Sequence, residues 1–226
     1  MTSRIVLLTA PECVAIVAPV LEAAGARVEI AITRVDLDRA ACTLPARLIS
    51  FGAGVIVPKA HLKAFSGAYN FHPGPPTLPG LYPSVHAIYS RHTAFGVTLH
   101  EMAPSIDSGA IVAVEQFPIP QPCDRLMLDT LTLPVMVEMV RRHAAALADL
   151  SRPLPGTDIS WTGPLRTAAD FAALCDVPET ADAAEFQHRL RAVGEGPNHA
   201  LTITRYGRKF RLVSAQSAVV RGGQVV

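Results

Sequence analysis

The sequence predicts an α/β fold: an open, mostly parallel twisted sheet with flanking helices, followed by a small C-terminal α+β subdomain. Three observations predict it. Short apolar runs alternate with stretches of helical spacing through the first half of the chain, the pattern of strand–helix–strand units that build a parallel sheet. Glycine and proline punctuate these runs where turns are needed. Half of the 226 residues are apolar, enough to bury a sizeable core.

Taken in order, Arg4 to Leu8 is a first strand, and Cys13 to Ala24 shows helical spacing up to the stop signal at Gly25. Val28 to Thr33 supplies a second strand. Leu48-Ile49-Ser50-Phe51 reads as a third, buried strand running into the Gly52-Ala53-Gly54 turn, and Ala68 to Phe71 as a fourth, entering His72-Pro73-Gly74-Pro75-Pro76. Ser84 to Tyr89 is a short helix. Phe95 to Met102 and Ala110 to Phe117 are two further strands, separated by the Asp107-Ser108-Gly109 turn. Leu126 to Leu150 is a long helix closed by Ser-Arg-Pro-Leu-Pro, which divides the chain into a catalytic domain, 1–150, and a small C-terminal subdomain, 151–226. In the latter, Trp161 to Val177 and Ala181 to Val193 read as helices, and His199 to Leu212 as a hairpin around Tyr206-Gly207-Arg208.

Composition narrows the function. The 20 Lys+Arg nearly cancel the 19 Asp+Glu, and no dense basic run suits a phosphate backbone, so nucleic acid is not the expected partner. The apolar run Ile5-Val6-Leu7-Leu8 is too short for a signal-peptide core, and no segment reaches the roughly 18 apolar residues of a membrane span. Cys13, Cys42, Cys123 and Cys175 form no CxxC pair; they read as small buried or half-buried hydrophobes in a reducing, cytoplasmic compartment. His72, His86, His92 and His100 lack the spacing of a metal site, so none is expected.

The densest chemical signal is Asn70-Phe71-His72-Pro73-Gly74. Asn70 and His72 share one side of a strand by its period of two, at the end where parallel sheets open into a ligand crevice. Downstream, Ser105-Ile106-Asp107-Ser108-Gly109 places an acid on a tight turn. Asp107 suits that turn for structural reasons as well. An amide to polarise a carbonyl, an imidazole to move a proton and a carboxylate to orient it form a set for attack by an amine on an acyl carbon. Trp161 and Phe171 read as packing residues, and Arg205, Arg208, Lys209 and Arg211 as a solvated face.

Asn70-x-His72-Pro73, Leu78-Pro79-Gly80, Gly96-Val97-Thr98-x-His100 and Ile106-Asp107-x-Gly109-x-Ile111 together resemble the folate-dependent formyltransferase family, which includes glycinamide ribonucleotide, methionyl-tRNA and sugar-nucleotide formyltransferases. Asp158-Ile159-Ser160-Trp161 and Leu190-Arg191-Ala192 are similar to later motifs of that family. The chain departs from it in Gly74-Pro75-Pro76-Thr77 after the His-Pro, in an N-terminal loop, Thr9-Ala10-Pro11-Glu12, without glycines, and in a short stretch between the second and third strands. The resemblance implies a formyltransferase-like Rossmann-type fold, with Asn70, His72 and Asp107 as catalytic residues. It implies 10-formyltetrahydrofolate as formyl donor, held by Ala53, Gly54, Val55, Ile56, Val57 and Ser105. The implied mechanism has Asn70 and a protonated His72 stabilising the oxyanion while Asp107 helps remove the amine proton. The implied acceptor is a small primary amine, with a nucleotide-linked amino sugar preferred, and the family suggests a homodimer through the C-terminal part. A 10-formyltetrahydrofolate hydrolase using the same residues, or formylation of a purine-pathway amine, stays open.

Overall fold

Ile5, Val6, Leu7 and Leu8 of strand β1 (Ser3–Thr9) are wholly buried, as a strand covered on both faces must be. This is seen in a computed structural model of the chain, which describes residues 2–196 and 199–213. Helix α1 (Pro11–Ala23) starts on Pro11, whose missing N–H costs nothing at a helix start, and gives way to Gly25 at φ 88°. Strand β2 (Ala26–Ala31), helix α2 (Arg34–Ala41), strand β3 (Arg47–Phe51), helix α3 (Lys59–Ala64) and strand β4 (Ala68–His72) complete the alternating half. Helix α4 (Pro83–Tyr89), strands β5 (Ala94–Glu101) and β6 (Ile111–Pro118) and the long helix α5 (Arg125–Ala148) follow.

The six strands lie in the order β2-β1-β3-β4-β5-β6; β1 to β4 run parallel, and β5 and β6 join antiparallel. This is the expected mostly parallel sheet with flanking helices. Period-two alternation splits its side chains. Ile5, Leu7, Ile49, Phe51, Tyr69, Phe71, Val97 and Leu99 pack under α1 and α5. Val6, Leu8, Leu48 and Ala68 pack with Leu37, Ala40 and Phe65 on the other face. A third cluster joins Val85 and Ile88 of α4 and Leu128 of α5 to Val193 and Leu201 of the C-terminal part.

That part contains helix α6 (Ala168–Cys175), strand β7 (Asp176–Val177), helix α7 (Ala183–Val193) and the β8 (Thr202–Arg205) and β9 (Arg208–Arg211) hairpin. The hairpin turns at Tyr206-Gly207, φ 53° and 71°, where the sequence signal placed it, and its basic residues are exposed. Residues 214–226 of the expected subdomain lie outside the described residues. Among the described residues no helix is long and apolar enough to cross a membrane.

Three expectations are corrected, and two helices are added. The second strand ends at Ala31, because Thr33 is instead the N-cap of α2: its side chain accepts the Asp36 N–H while Asp36 accepts from the Thr33 N–H. Helices α2 and α3 escape a periodicity search because they are short, eight and six residues. The helix read from Trp161 begins only at Ala168. Pro164 and Gly163 disfavour it, and the segment lies extended along the proline-rich loop, with Thr162 N–H on Pro76 O and Arg166 N–H on Pro79 O. Cys42 caps the C-terminus of α2 and is exposed, unlike the other three cysteines.

One buried cation ties the frame together. Arg47 is fully buried on β3 and donates to the carbonyls of Ala146, Leu147, Arg152 and Ser66, closing the C-terminal end of α5. Burial lowers its pKa, opposed by Tyr69, whose ring lies 5.5 Å away, and by Asp149. Arg47→Met is expected to orphan these carbonyls and lower stability by about 3 kcal/mol, measured by urea unfolding; an unchanged midpoint would contradict this role.

Candidate active site

The β4–β5 pairing builds the site. Tyr69 and Phe71 point to the α1/α5 core, which turns Asn70 and His72 to the opposite face. Antiparallel register sets His100 across from Asn70 and Thr98 across from His72. The β5–β6 register slips between Leu99 and His100, an irregularity of the kind that re-aims side chains beside functional sites. Thr98 Oγ1 donates to Gly74 O at 2.7 Å and holds the proline-rich loop against the sheet.

Asp107 reaches this face from the loop after β5. Its φ of 43° is left-handed, which for a residue with a Cβ costs of order 1–3 kcal/mol. Gly109 makes the turn possible, since a Cβ there would collide with Glu101 O. Gly80, at φ 98°, presses its backbone against Arg166 and turns its N–H to Asp107 Oδ2 at 2.7 Å.

The structure therefore brings Asn70, His72 and Asp107 together, with His100, read from the sequence as a strand residue lining the site, beside them. Asp107 Oδ2 lies 3.2 Å from His72 Nδ1, and Oδ1 lies 3.3 Å from His100 Nε2. His72 Nε2 is 2.9 Å from Leu78 O, His100 Nδ1 is 2.8 Å from Glu101 O, and Asn70 Nδ2 is 3.1 Å from His100 Nε2. His100 Nε2 thus lies between the Asn70 amide and Asp107 Oδ1, and because the amide carries two hydrogens, one is left for the cavity even when the other is directed at His100.

Both nitrogens of His72 face acceptors, so geometry favours the doubly protonated ring. Burial opposes this and lowers its pKa below 6.5, against the pull of Asp107 and Leu78 O, with His100 adding to the lowering. The mechanism implied by the sequence starts from a protonated His72. Burial works against that state, since the ring is only 3% exposed and desolvation disfavours its charged form. Burial also pushes the Asp107 carboxyl up, but the His100 hydrogen bond, the His72 charge and the Gly80 N–H outweigh it, so its pKa lies below 3.8.

These groups floor a cavity of about 340 Å³. Ala53, Val55, Ile56, Val57 and Ser105 line it; Gly54, between two of them, faces solvent outside the lining. Ile56, Leu81, Tyr82 and Ile106 stand exposed at its rim. Among the described residues, Asp107 is its one acidic lining residue and no lysine or arginine lines it. Nor is any group of three or more described His, Cys, Asp or Glu residues arranged to hold a metal ion. Sequence reasoning missed the Gly80 N–H, the Leu78 carbonyl and the closeness of Trp161; only the Leu78-Pro79-Gly80 motif hinted at the first two.

No protein-family model and no curated protein matches this sequence. Its fold matches solved structures. A sugar N-formyltransferase from a Shewanella species shares 19% identity at a TM-score of 0.73, over 95% of this chain and 98% of that one. A 4-N formyltransferase from Francisella tularensis gives 15% and 0.77, over 94% and 97%. The N-formyltransferase from Helicobacter canadensis, in complex with folinic acid and dTDP-3-aminofucose, gives 16% and 0.64, over 92% and 85%. At these identities the likeness establishes a shared fold.

The lowered His72 pKa has a sign that can be tested. Above about pH 6.5 the ring is neutral both folded and unfolded. Below it the unfolded chain binds the proton first, so stability falls as pH falls toward the folded pKa. Asp107 titrates below this window. His72→Gln should flatten the loss of stability between about pH 7.5 and pH 5.5 in urea unfolding; an identical slope in both proteins would contradict the assignment.

Proposed function

We propose that this protein belongs to the folate-dependent formyltransferases and moves a formyl group from 10-formyltetrahydrofolate to the primary amine of a small acceptor, a nucleotide-linked amino sugar. The observation that carries the proposal is the convergence of Asn70, His72 and Asp107 on the floor of one apolar-walled cavity. The folinic acid and dTDP-3-aminofucose held by the Helicobacter canadensis neighbour support the two substrate classes.

Ala53, Val55, Ile56 and Val57 give the cavity an apolar lining against which the donor's flat ring would rest, and Met102 to Asp107 line it as well. When bound, the donor supplies an acyl carbon on a nitrogen leaving group. The Asn70 amide hydrogen not used on His100 is available to the carbonyl oxygen, where negative charge develops as the amine nitrogen bonds to that carbon, and His72 would join it by turning its Nε2 proton from Leu78 O. Asp107, ionised and paired with His72, holds the ring's proton in place and accepts, directly or through water, the proton the amine gives up. That proton ends on the donor nitrogen as its bond to carbon breaks, and His72, paired with Asp107, passes it on.

At the start of α1, Pro11 contributes no N–H and Glu12 adds negative charge to the first turn. That is a poor cradle for a phosphate, which turns the proposal away from an acceptor gripped at this loop.

Purified protein incubated with 10-formyltetrahydrofolate and a panel of amines, dTDP-3-aminofucose included, should yield a product heavier by one formyl group in mass spectrometry. Asn70→Ala and His72→Ala should each lower turnover roughly a hundredfold to a thousandfold. Formate released in place of a formylated amine would replace transfer by hydrolysis, and absence of folate binding would sink both.

A further inference from the structure

Trp161 sits against the far side of the catalytic cluster. Its ring lies 5.6 Å from the His72 ring at 73° and 5.0 Å from the His100 ring at 89°, and its Nε1–H donates to Gly109 O at 2.9 Å. Gly109 is two residues from Asp107, at the base of the left-handed turn. Trp161 does not line the cavity that holds Asn70 and His72; it lines a separate hollow on the other side of the Asp107 turn. The segment that carries it is fixed on both sides, with Thr157 N–H on Ile111 O at 2.7 Å and Thr162 N–H on Pro76 O at 3.1 Å. The segment is thus a strap running from β6 to the proline-rich loop, and Trp161 is the side chain it presses onto the cluster.

We propose that Trp161 is a positioning residue: it holds the Asp107 turn through Gly109 and closes the rear of the His72–Asp107–His100 cluster to water. Two physical needs support this. A left-handed aspartate persists only where its surroundings over-determine it, and the turn is held by the Gly80 N–H, by Ser108 Oγ donating to Ser105 O and, from outside the loop, by the indole N–H. The imidazoles are 3% and 2% exposed although they lie next to a cavity. An aromatic ring within 6 Å of both supplies low-dielectric cover without competing for their hydrogen bonds. The link to turnover rests on the formyl-transfer reading; the positioning itself does not.

The test uses the full chain with Trp161→Ala and Trp161→Phe, each first checked for a native thermal transition. Ring-nitrogen NMR of labelled histidine, with the His72 signal assigned by its loss in His72→Gln, reads the environment directly. Among the described residues the charged or titratable groups facing His72 are Asp107 and His100. In folded Trp161→Ala the His72 titration should move up toward the ordinary 6.5 as water enters, while Trp161→Phe, which keeps the ring cover but loses the N–H that holds the Asp107 turn, should give a smaller shift. With 10-formyltetrahydrofolate as donor, kcat should fall by on the order of ten- to a hundredfold in Trp161→Ala, and KM for the donor should change much less. An unmoved His72 titration in folded Trp161→Ala would overturn the proposal. A moved titration in a protein with no formyl transfer would keep it and overturn the functional reading.

Discussion

One carboxylate organises the site. Asp107 takes the Gly80 N–H on Oδ2, lies against His72 through the same oxygen, and meets His100 through the other. Each contact recruits a different piece of chain: the proline-rich loop, the end of β4, and the end of β5. A buried carboxylate is costly unless it is paired and hydrogen-bonded. The demand for partners is therefore what draws these pieces together and fixes their spacing. The sheet provides the platform, because β4 and β5 are held rigidly by Phe71 and Leu99 in the core below.

Local strain is concentrated around that carboxylate. Asp107 and Tyr82 both adopt left-handed backbone, and Gly80 and Gly109 approach other backbone so closely that no side chain fits. Strain of this kind survives only where neighbouring structure holds it. Here the holding comes from the C-terminal half. Arg166 bridges to Gly80, the Tyr82 ring stacks on Phe171 at 4.1 Å, and the strap carrying Trp161 crosses behind the turn. Phe171 is thus a packing residue, as its sequence suggested, while Trp161 packs onto the rings of His72 and His100.

Electrostatics and burial oppose one another at His72. Two acceptors invite a second proton, and the dry surroundings resist it. Burial is the larger influence, so the ring's pKa lies below its ordinary value. With no lysine or arginine among the described lining residues, that balance stays local, set by Asp107 and His100. Arg47 shows how the same fold handles a buried charge whose role is structural. Its two terminal guanidinium nitrogens donate to backbone carbonyls, and it lies outside the cavity lining.

Much of this was legible in the sequence, for identifiable reasons. Alternating apolar strands and helical spacing, both local patterns, specified the parallel sheet, and the period of two in Asn70-Phe71-His72 put amide and imidazole on one face. The Tyr206-Gly207 turn was equally local. Short polar helices such as Arg34–Ala41 were not legible by periodicity, although the Thr33…Asp36 capping box was written there. The helix wrongly read from Trp161 shows the limit from the other side, since Gly163 and Pro164 follow the needs of a partner loop that no local window contains. The sequence by itself determined the fold class and the three residue types of the site. Only tertiary structure decided that His100 stands opposite Asn70, that Gly80 donates to Asp107 and that Trp161 closes the cluster, because strand register and loop-to-loop hydrogen bonds depend on residues far apart in the chain.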